Sequence, residues 1–261
     1  MAAAKVRLDQ LLAQRGLFPS RSRAAASVMA GEVRVGDELA DKPGRLVPED
    51  AEVAVAGGRR FVSRGGIKLE NALEALQVPV EGRRCMDVGA STGGFTDCLL
   101  KRGAAAVTCV DVAYGELAWE LRTDERVTVL ERLNARALMP GDLPYRPGLV
   151  VVDVSFISLL KVLPAVLRCA DERFDCLAMV KPQFEVGRDL IGKNGVVRGV
   201  EDRRAAVLAV AEGTKASVLG FAPSGLPGPK GNRETFVWLA EPGRAGAIGD
   251  LAGALAKVDD I

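Results

Sequence analysis

Histidine is missing altogether from the 261 residues of this chain. Its absence excludes catalytic triads and metal sites built on imidazole, so acid–base chemistry must come from Lys, Asp, Glu or Tyr. Cysteine is scarce, and the five thiols form no CxxC pair; they lie at Cys85, Cys98, Cys109, Cys169 and Cys176. We therefore expect neither a disulfide framework nor a metal site, and interpret the thiols as small apolar core residues in a reducing cytosol.

The sequence also lacks a long apolar run and a strong excess of one charge. No stretch of about 18 apolar residues is available for a membrane span, and the first residues do not have the pattern of a secretory signal. Lys and Arg number 35 against 34 Asp and Glu, so the net charge of +1 gives no overall attraction to nucleic acid. We expect a cytoplasmic protein without membrane contact, in which local clusters supply any nucleic-acid binding.

The first 34 residues form such a cluster, with six Lys or Arg side chains against two acidic ones. Apolar residues from Val6 to Leu12 have helical spacing, and a second helical pattern runs from Ser20 to Gly31. Alternating residues at 32–37 and 51–55 predict short strands. A basic helical face is often merely solvated, so the charge pattern alone leaves both RNA binding and a plain surface open.

The order of motifs in this region resembles the S4 RNA-binding domain. The resemblance rests on Arg7-Leu8-Asp9, on Ser22-Arg23 and on the run Gly31-Glu32-Val33-Arg34-Val35-Gly36. In that family two helices present basic side chains to folded RNA, which is recognised by its phosphate charge and its shape. The resemblance implies an RNA-binding set of Lys5, Arg7, Arg15, Arg21, Ser22, Arg23, Arg34 and Arg64.

A glycine- and arginine-rich stretch separates this region from the rest of the chain. We predict an N-terminal α+β domain at 1–58, a linker at 59–66 and a larger domain at 67–261. The larger domain opens with an amphipathic helix from Ile67 to Leu76, in which Lys68 occupies the first turn. A cation is not favoured there by the helix dipole, which indicates that Lys68 has a function.

From residue 85 onward, strand patterns alternate with helical ones. Strands are predicted around 85–88, 106–111, 127–130, 149–153, 174–181, 217–221 and 235–239, with helices at 95–100, 114–121, 158–169 and 201–212 between them. Alternation of this kind makes an open, mostly parallel α/β sheet with ligands at its carboxyl edge. Seven strands, the last two joined by a hairpin-like connection, fit the Rossmann-like sheet of class I methyltransferases.

The loop after the first strand of this sheet has the sequence Asp87-Val88-Gly89-Ala90-Ser91-Thr92-Gly93-Gly94-Phe95. Its glycines are spaced G-x-x-x-G-G rather than G-x-G-x-x-G, and an acid precedes them, which disfavours a pyrophosphate. S-adenosylmethionine carries no phosphate, and Asp111 at the end of the next strand is placed to bind its ribose hydroxyls. The predicted cofactor-binding residues are Asp87, Gly89, Ala90, Ser91, Gly93, Gly94, Phe95, Asp111, Val112 and, with a turn residue as the equal alternative, Asn134.

Four charged residues lie at successive elements in the order Lys68, Asp153, Lys181 and Glu234. This order resembles the tetrad of ribose 2′-O-methyltransferases related to the FtsJ/RrmJ group, which implies that these four residues are catalytic. A ribose hydroxyl is a poor nucleophile at neutral pH, so its site must share a proton and favour the developing alkoxide. Taken singly, each residue is better explained as a member of a surface salt bridge, and only the arrival of all four at successive elements favours a catalytic site.

The whole chain resembles the TlyA family of rRNA (cytidine-2′-O)-methyltransferases, also named haemolysins. The most specific motifs are 62–69 (VSRGGIKL), 87–97 and 180–185 (VKPQFE). The resemblance implies methylation of cytidine ribose in 16S and in some members also 23S rRNA, with an assembled ribosomal subunit as the partner. One departure is Phe61, where mycobacterial members have Trp in the linker. A noncatalytic ribosome-assembly factor and, with less support, a haemolysin remain as alternatives.

Overall fold

The computed structural model describes residues 5–55, 60–228, 230–259 and 261. The chain separates into two compact units, Met1–Gly66 and Ile67–Ile261, and each is described by itself. The predicted boundary between the first domain and the linker falls between Gly58 and Arg59, which lie outside the described residues.

The first unit combines two short helices with small antiparallel strands. In chain order its elements are β1 (Lys5–Arg7), α1 (Leu8–Gln14), α2 (Arg21–Met29), β2 (Val33–Val35), β3 (Glu38–Leu39), β4 (Leu46–Pro48) and β5 (Val53–Val55). α2 begins after Ser20, whose hydroxyl accepts a hydrogen bond from the backbone N–H of Arg23 at 3.2 Å and so caps the helix. Leu8, Leu12 and Val28 are fully buried where the helices face the strands, which gives this unit its own core.

The second unit is built on a seven-stranded sheet with the order β11-β12-β10-β9-β6-β7-β8. The strands are β6 (Arg84–Val88), β7 (Ala106–Val110), β8 (Val127–Leu130), β9 (Leu149–Val152), β10 (Asp175–Val180), β11 (Ser217–Pro223) and β12 (Thr235–Ala240). β6 to β10 are parallel, and β12 is antiparallel to both β10 and β11. The predicted fold class is confirmed.

Seven α-helices accompany the sheet among the described residues. They are α3 (Arg64–Leu76), α4 (Gly94–Lys101), α5 (Trp119–Arg122), α6 (Leu163–Cys169), α7 (Pro182–Glu185), α8 (Val200–Gly213) and α9 (Leu251–Ala256). β9 reads Leu-Val-Val-Val and is buried throughout, because β10 and β6 flank it and helices cover its faces. Val150 and Val152 of this strand share one core cluster with Val166 of α6 and Val207 of α8.

Four helix predictions differ from the structure. Val6, predicted to begin the first helix, lies in β1, and α1 begins at Leu8. α3 begins at Arg64 rather than at residue 67, and the hydroxyl of Ser63 accepts from the backbone N–H of Gly65 at 3.3 Å. The helix predicted over 114–121 is reduced to Trp119–Arg122, because Gly115 has a φ of 77° that interrupts a helical backbone. The helix predicted over 158–169 is split into a 3₁₀ turn at Leu159–Lys161 and α6.

Candidate active site

The strand order reverses beside β6: the chain runs outward through β7 and β8 and then returns to place β9 on the other side of β6. In open α/β sheets the crevice at such a reversal, at the carboxyl ends of the strands, is where ligands bind. A cavity of about 480 Å³ lies at this point. Its lining comes from the segments that follow β6, β7, β8 and β9, and includes Gly89, Ser91, Asp111, Val112, Asn134 and Asp153.

The glycine loop after β6 approaches β9 closely. Gly89 has a φ of 83°, and a Cβ atom built on it would lie 2.3 Å from the carbonyl oxygen of Asp153, so the loop requires glycine at this position. Two residues on, Ser91 also has a positive φ, 47°, although it is not glycine. α4 then begins after Gly93, with a φ of 94°.

Asp111 lies at the edge of this cavity with both carboxylate oxygens held in place. One oxygen accepts from the backbone N–H of Ser91 at 2.7 Å and the other from that of Ala113 at 2.8 Å. Because backbone groups fix the carboxylate, its remaining acceptor positions have a defined direction. A carboxylate fixed in this way can accept from a pair of ribose hydroxyls, and that role of Asp111 stays a prediction.

Asp87 does not line the cavity but is fully buried behind the loop. One of its oxygens accepts from the backbone N–H of Thr96 at 2.9 Å and from the Thr96 hydroxyl at 2.7 Å. Burial is the main reason that the pKa of Asp87 is raised to about 7. The direct cofactor contact predicted for Asp87 therefore has no support in the geometry, since the carboxyl group holds the start of α4 instead.

The other predicted cofactor residues divide in the same way. Gly89, Ser91, Asp111, Val112 and Asn134 line the cavity, whereas Ala90, Gly93, Gly94 and Phe95 do not. The side chain of Asn134 also caps the turn Ala135–Ala137 by accepting from the backbone N–H of Arg136 at 3.0 Å. Phe95 turns toward the sheet, where its ring packs 5.8 Å from that of Phe236. The four residues outside the lining therefore shape the loop and do not face the cavity; they are Ala90, Gly93, Gly94 and Phe95.

The four charged residues of the predicted tetrad form two ion pairs. Nζ of Lys181, the residue after β10, lies 2.5 Å from Oδ1 of Asp153 and donates to the hydroxyl of Ser155 at 2.9 Å. Lys68 of α3 pairs with Glu234, which precedes β12, and both are buried. The fold thus pairs each of the two lysines with a carboxylate that lies far from it in the sequence.

A second cavity, of about 430 Å³, contains Lys181 and Glu234 in its lining. It shares Ser155 and Phe156 with the first cavity, so the Lys181–Asp153 pair lies between the two spaces. Phe156 is 91% exposed and has a left-handed φ of 65°, and its ring is 5.2 Å from that of Phe184. An exposed aromatic residue held in a strained conformation at this point indicates a contact surface for a ligand.

Three residues of the cavity linings were not predicted from the sequence, namely Ser155, Phe156 and Asn232. Asn232 is 2% exposed in the lining of the second cavity. The sequence indicates them only through their proximity to predicted catalytic residues: Phe156 lies three residues after Asp153, and Asn232 lies two residues before Glu234. Within the described residues, no group of three or more acidic or cysteine side chains is arranged to hold a metal ion.

Several of the basic residues predicted to bind RNA have partners inside the first unit. Arg7 donates to Asp9 at 2.7 Å and Arg21 lies 3.4 Å from the same carboxylate, and the bond from Arg7 is the main cause that lowers the pKa of Asp9. Arg15 donates to the carbonyl oxygens of Glu49 and Ala51, and Arg34 to that of Asp37.

The remaining members of the set differ from these four. Lys5, Ser22 and Arg23 are exposed, and the Arg23 side chain makes no hydrogen bond or ion pair within the described parts of the chain. Arg64 is the first residue of α3. All four arginines with internal partners are exposed as well. The predicted set therefore separates by partners rather than by exposure, and Arg23 is a member whose side chain has none within the described residues.

The seven-stranded sheet and the family matches define a class: a methyltransferase with an additional S4 domain. Residues 61–241 match the FtsJ-like methyltransferase family and residues 6–53 match the S4 domain. The 16S/23S rRNA (cytidine-2′-O)-methyltransferase TlyA of Mycobacterium tuberculosis is 50% identical over 244 residues, 91% of this chain and 90% of that protein. The chain belongs to the TlyA family.

Two further similarities concern proteins that carry the hemolysin name. Hemolysin A of Brachyspira hyodysenteriae is 37% identical over 196 residues, which cover 74% of this chain and 81% of that protein. A solved structure from Streptococcus thermophilus, also named for a hemolysin, has a TM-score of 0.72 at 37% identity and covers 98% of this chain and 96% of its own. No helix in the described residues is long and apolar enough to cross a membrane.

Proposed function

We propose that this protein transfers a methyl group from S-adenosylmethionine to the 2′-hydroxyl of a cytidine in ribosomal RNA. The observation that carries the proposal is the Lys181–Asp153 pair, which lies where two cavities of comparable size meet. One space is suited to the methyl donor and the other to the nucleoside that accepts the methyl group. Membership of the TlyA family supports the same reaction.

The first cavity fits the adenosyl part of the donor. Its volume of about 480 Å³ is within the range of small-molecule sites, and Val110, Leu133 and Ile157 supply apolar lining for a base. Asp111 would hold the ribose hydroxyls through its fixed carboxylate. When bound, this cofactor supplies a methyl group that is activated by a positively charged sulfur.

Lys181 is the group that we assign to the acceptor hydroxyl. Asp153 and Ser155 hold its Nζ atom at the junction of the cavities, so that it faces an oxygen placed for in-line attack. Two roles are open to this amine: a neutral Nζ takes the proton as the hydroxyl attacks, and an ammonium stabilises the developing alkoxide. Glu234 lines the second cavity and forms a buried ion pair with Lys68, so this pair would orient the ribose.

RNA would be held by the first unit together with the exposed basic residues. The relative from Mycobacterium tuberculosis is named for methylation of 16S and 23S rRNA. We propose the same substrate class here, with an assembled ribosomal subunit in the cytoplasm as the partner. Cytidine in 16S rRNA is the first candidate and 23S rRNA the second.

The test uses purified protein, labelled S-adenosylmethionine and isolated small and large ribosomal subunits. We expect methyl transfer to a cytidine 2′-oxygen, which mapping of the modified nucleotide will identify. Lys181→Ala should abolish transfer while the cofactor still binds in calorimetry. Subunit binding without transfer by the unaltered protein would contradict the proposal and favour an assembly factor.

A second substitution separates the two roles of Lys181. Lys181→Arg keeps a positive charge but cannot become neutral near physiological pH. If Lys181 is the base, this variant loses as much activity as Lys181→Ala. Substantial residual transfer by the arginine variant would assign the residue to electrostatic stabilisation.

A further inference from the structure

Glu185 connects the two segments that lie at the junction between the cavities, residues 153–159 after β9 and residues 181–185 after β10. It is the last residue of α7, the helical turn that begins directly after Lys181. Its Oε2 accepts from the hydroxyl of Ser158 at 2.6 Å and its Oε1 from the backbone N–H of Leu159 at 2.8 Å. Both partners lie in the segment that follows β9, so a single carboxylate links the ends of two neighbouring strands.

This link is the last of three between the same segments. Lys181 contacts Asp153 and Ser155, the ring of Phe184 packs against that of Phe156, and Glu185 holds the next turn. The residues pair in matching order along 153–159 and 181–185. The two segments are therefore joined along their length, and Glu185 closes the end that lies farthest from the strands.

The conformation of Phe156 explains why the far end must be held. A left-handed φ of 65° costs free energy in a bulky residue, and such a conformation persists only where the surrounding structure imposes it. Ser155 precedes Phe156, and Glu185 fixes the backbone three residues after it. Without Glu185 the segment can relax toward an ordinary φ, which displaces Ser155 and the Phe156 ring together.

We propose that Glu185 is a positioning residue for methyl transfer, which acts by holding residues 153–159 against Lys181. The proposal rests on the function proposed above, because it assigns Glu185 to the same site. Glu185 itself lines neither of the two cavities, so it acts through the residues that it holds. It does so by accepting two hydrogen bonds, and its negative charge is not required.

Two substitutions test this role by enzyme kinetics. Glu185→Ala removes both bonds and should lower kcat about 100-fold at saturating cofactor and ribosomal subunit, since small displacements of reacting groups cost that much. Glu185→Gln can accept from Leu159 through its carbonyl oxygen and donate to Ser158 through its amide. We expect kcat within about threefold of the unaltered protein for this variant.

A matched control removes a carboxylate cap elsewhere in the same unit. Asp250 accepts from the backbone N–H of Gly253 at 2.9 Å at the start of α9, so Asp250→Ala loses a comparable bond far along the chain from the junction. It should lower the melting temperature by less than Glu185→Ala does, because one exposed bond is lost instead of two partly buried ones, and it should leave kcat unchanged. An equal loss of kcat in Asp250→Ala would mean that the effect is general destabilisation, and the proposal would fall.

A second measurement needs neither RNA nor cofactor. Hydrogen exchange in the peptide 153–160 should be faster in Glu185→Ala than in Glu185→Gln or Asp250→Ala, because the amide of Leu159 loses its acceptor. Unchanged protection, unchanged kcat in Glu185→Ala, or equal inactivity of Glu185→Gln would each overturn the inference. Absence of methyl transfer by the unaltered protein would refute the proposed function, and the exchange experiment would still decide whether Glu185 holds residues 153–159 in place.

Discussion

The carboxyl group of Asp87 lies in surroundings that oppose its ionisation. It is fully buried, and the carboxylates of Asp153 and Asp111 add to the effect of burial. Thr96 compensates in part, through its hydroxyl and its backbone N–H. The pKa is consequently raised to about 7 from an ordinary value of 3.8. The start of α4 therefore depends on a carboxyl group that is close to half-protonated at neutral pH.

This pKa predicts a stability that falls as pH rises. Between pH 4 and pH 7 the folded protein retains a proton on Asp87 that the unfolded chain has lost, so the free energy of unfolding decreases by up to about 1.4 kcal/mol per pH unit. Asp87→Asn, which keeps an acceptor for Thr96, should remove this contribution and be the more stable protein above pH 7.

The measurement is urea unfolding of both proteins from pH 5 to pH 8, followed by tryptophan fluorescence. Both tryptophans, Trp119 and Trp238, belong to the second unit and report on it alone. Parallel pH profiles for the two proteins would show that Asp87 titrates at its ordinary pKa.

At the scale of elements, the wall of the second cavity depends on Asn232. Its side-chain amide donates to the carbonyl oxygen of Gly195 at 2.8 Å and accepts from the backbone N–H of Val197 at 2.9 Å. Gly195 and Asn232 both line the cavity, and Asn232 lies two residues before Glu234 in the sequence. One buried amide therefore holds the 195–197 segment beside the space that we assign to the nucleoside.

Asn232→Ala should weaken RNA binding rather than the chemical step. Loss of two hydrogen bonds of about 1 kcal/mol each frees the wall, and we expect KM for the ribosomal subunit to rise about tenfold. Cofactor affinity and kcat should stay within about twofold of the original values, because neither bond touches the first cavity. Steady-state kinetics with calorimetry of cofactor binding checks this, and a loss confined to kcat would contradict it.

Whether an element can be predicted depends on how far apart in the sequence the residues that determine it lie. The runs around 149–153 and 174–181 predicted strands because their apolar pattern is local, and the sheet confirms them. The alternation at 32–37 and 51–55 likewise predicted β2 and β5, whereas β3 and β4 leave no pattern of that kind. The partnership of Lys68 with Glu234 depends on the order of strands across the sheet, and residue spacing carries no information about it.

The whole molecule divides its charge unevenly. The first 66 residues hold 11 Lys and Arg against 8 Asp and Glu, whereas the remaining residues hold 24 against 26. Part of the basic charge of the first unit is committed to internal contacts, through Arg7, Arg15 and Arg34. Arg23 is exposed and its side chain has no internal partner within the described residues, so it is a better candidate for a phosphate contact than these three arginines.

Arg15 and Arg23 should therefore differ when each is replaced by alanine. Arg23→Ala should leave the melting temperature unchanged and reduce the salt dependence of RNA affinity by about one phosphate contact. Arg15→Ala should destabilise the first unit by about 1 kcal/mol, since it removes bonds to two backbone carbonyls. Thermal melts and RNA titrations at several salt concentrations test both, and equal behaviour of the two variants would contradict the division.

The five cysteines have a practical consequence for experiments on this protein. All are buried in the second unit, and burial raises the pKa of each thiol, so little thiolate is available to react. A single cysteine introduced at an exposed position outside the predicted RNA-binding set, such as Asp50, would then be the preferred target of a maleimide dye. The native thiols therefore need not be removed before site-specific labelling. The docking of each unit on a ribosomal subunit can then be followed by fluorescence.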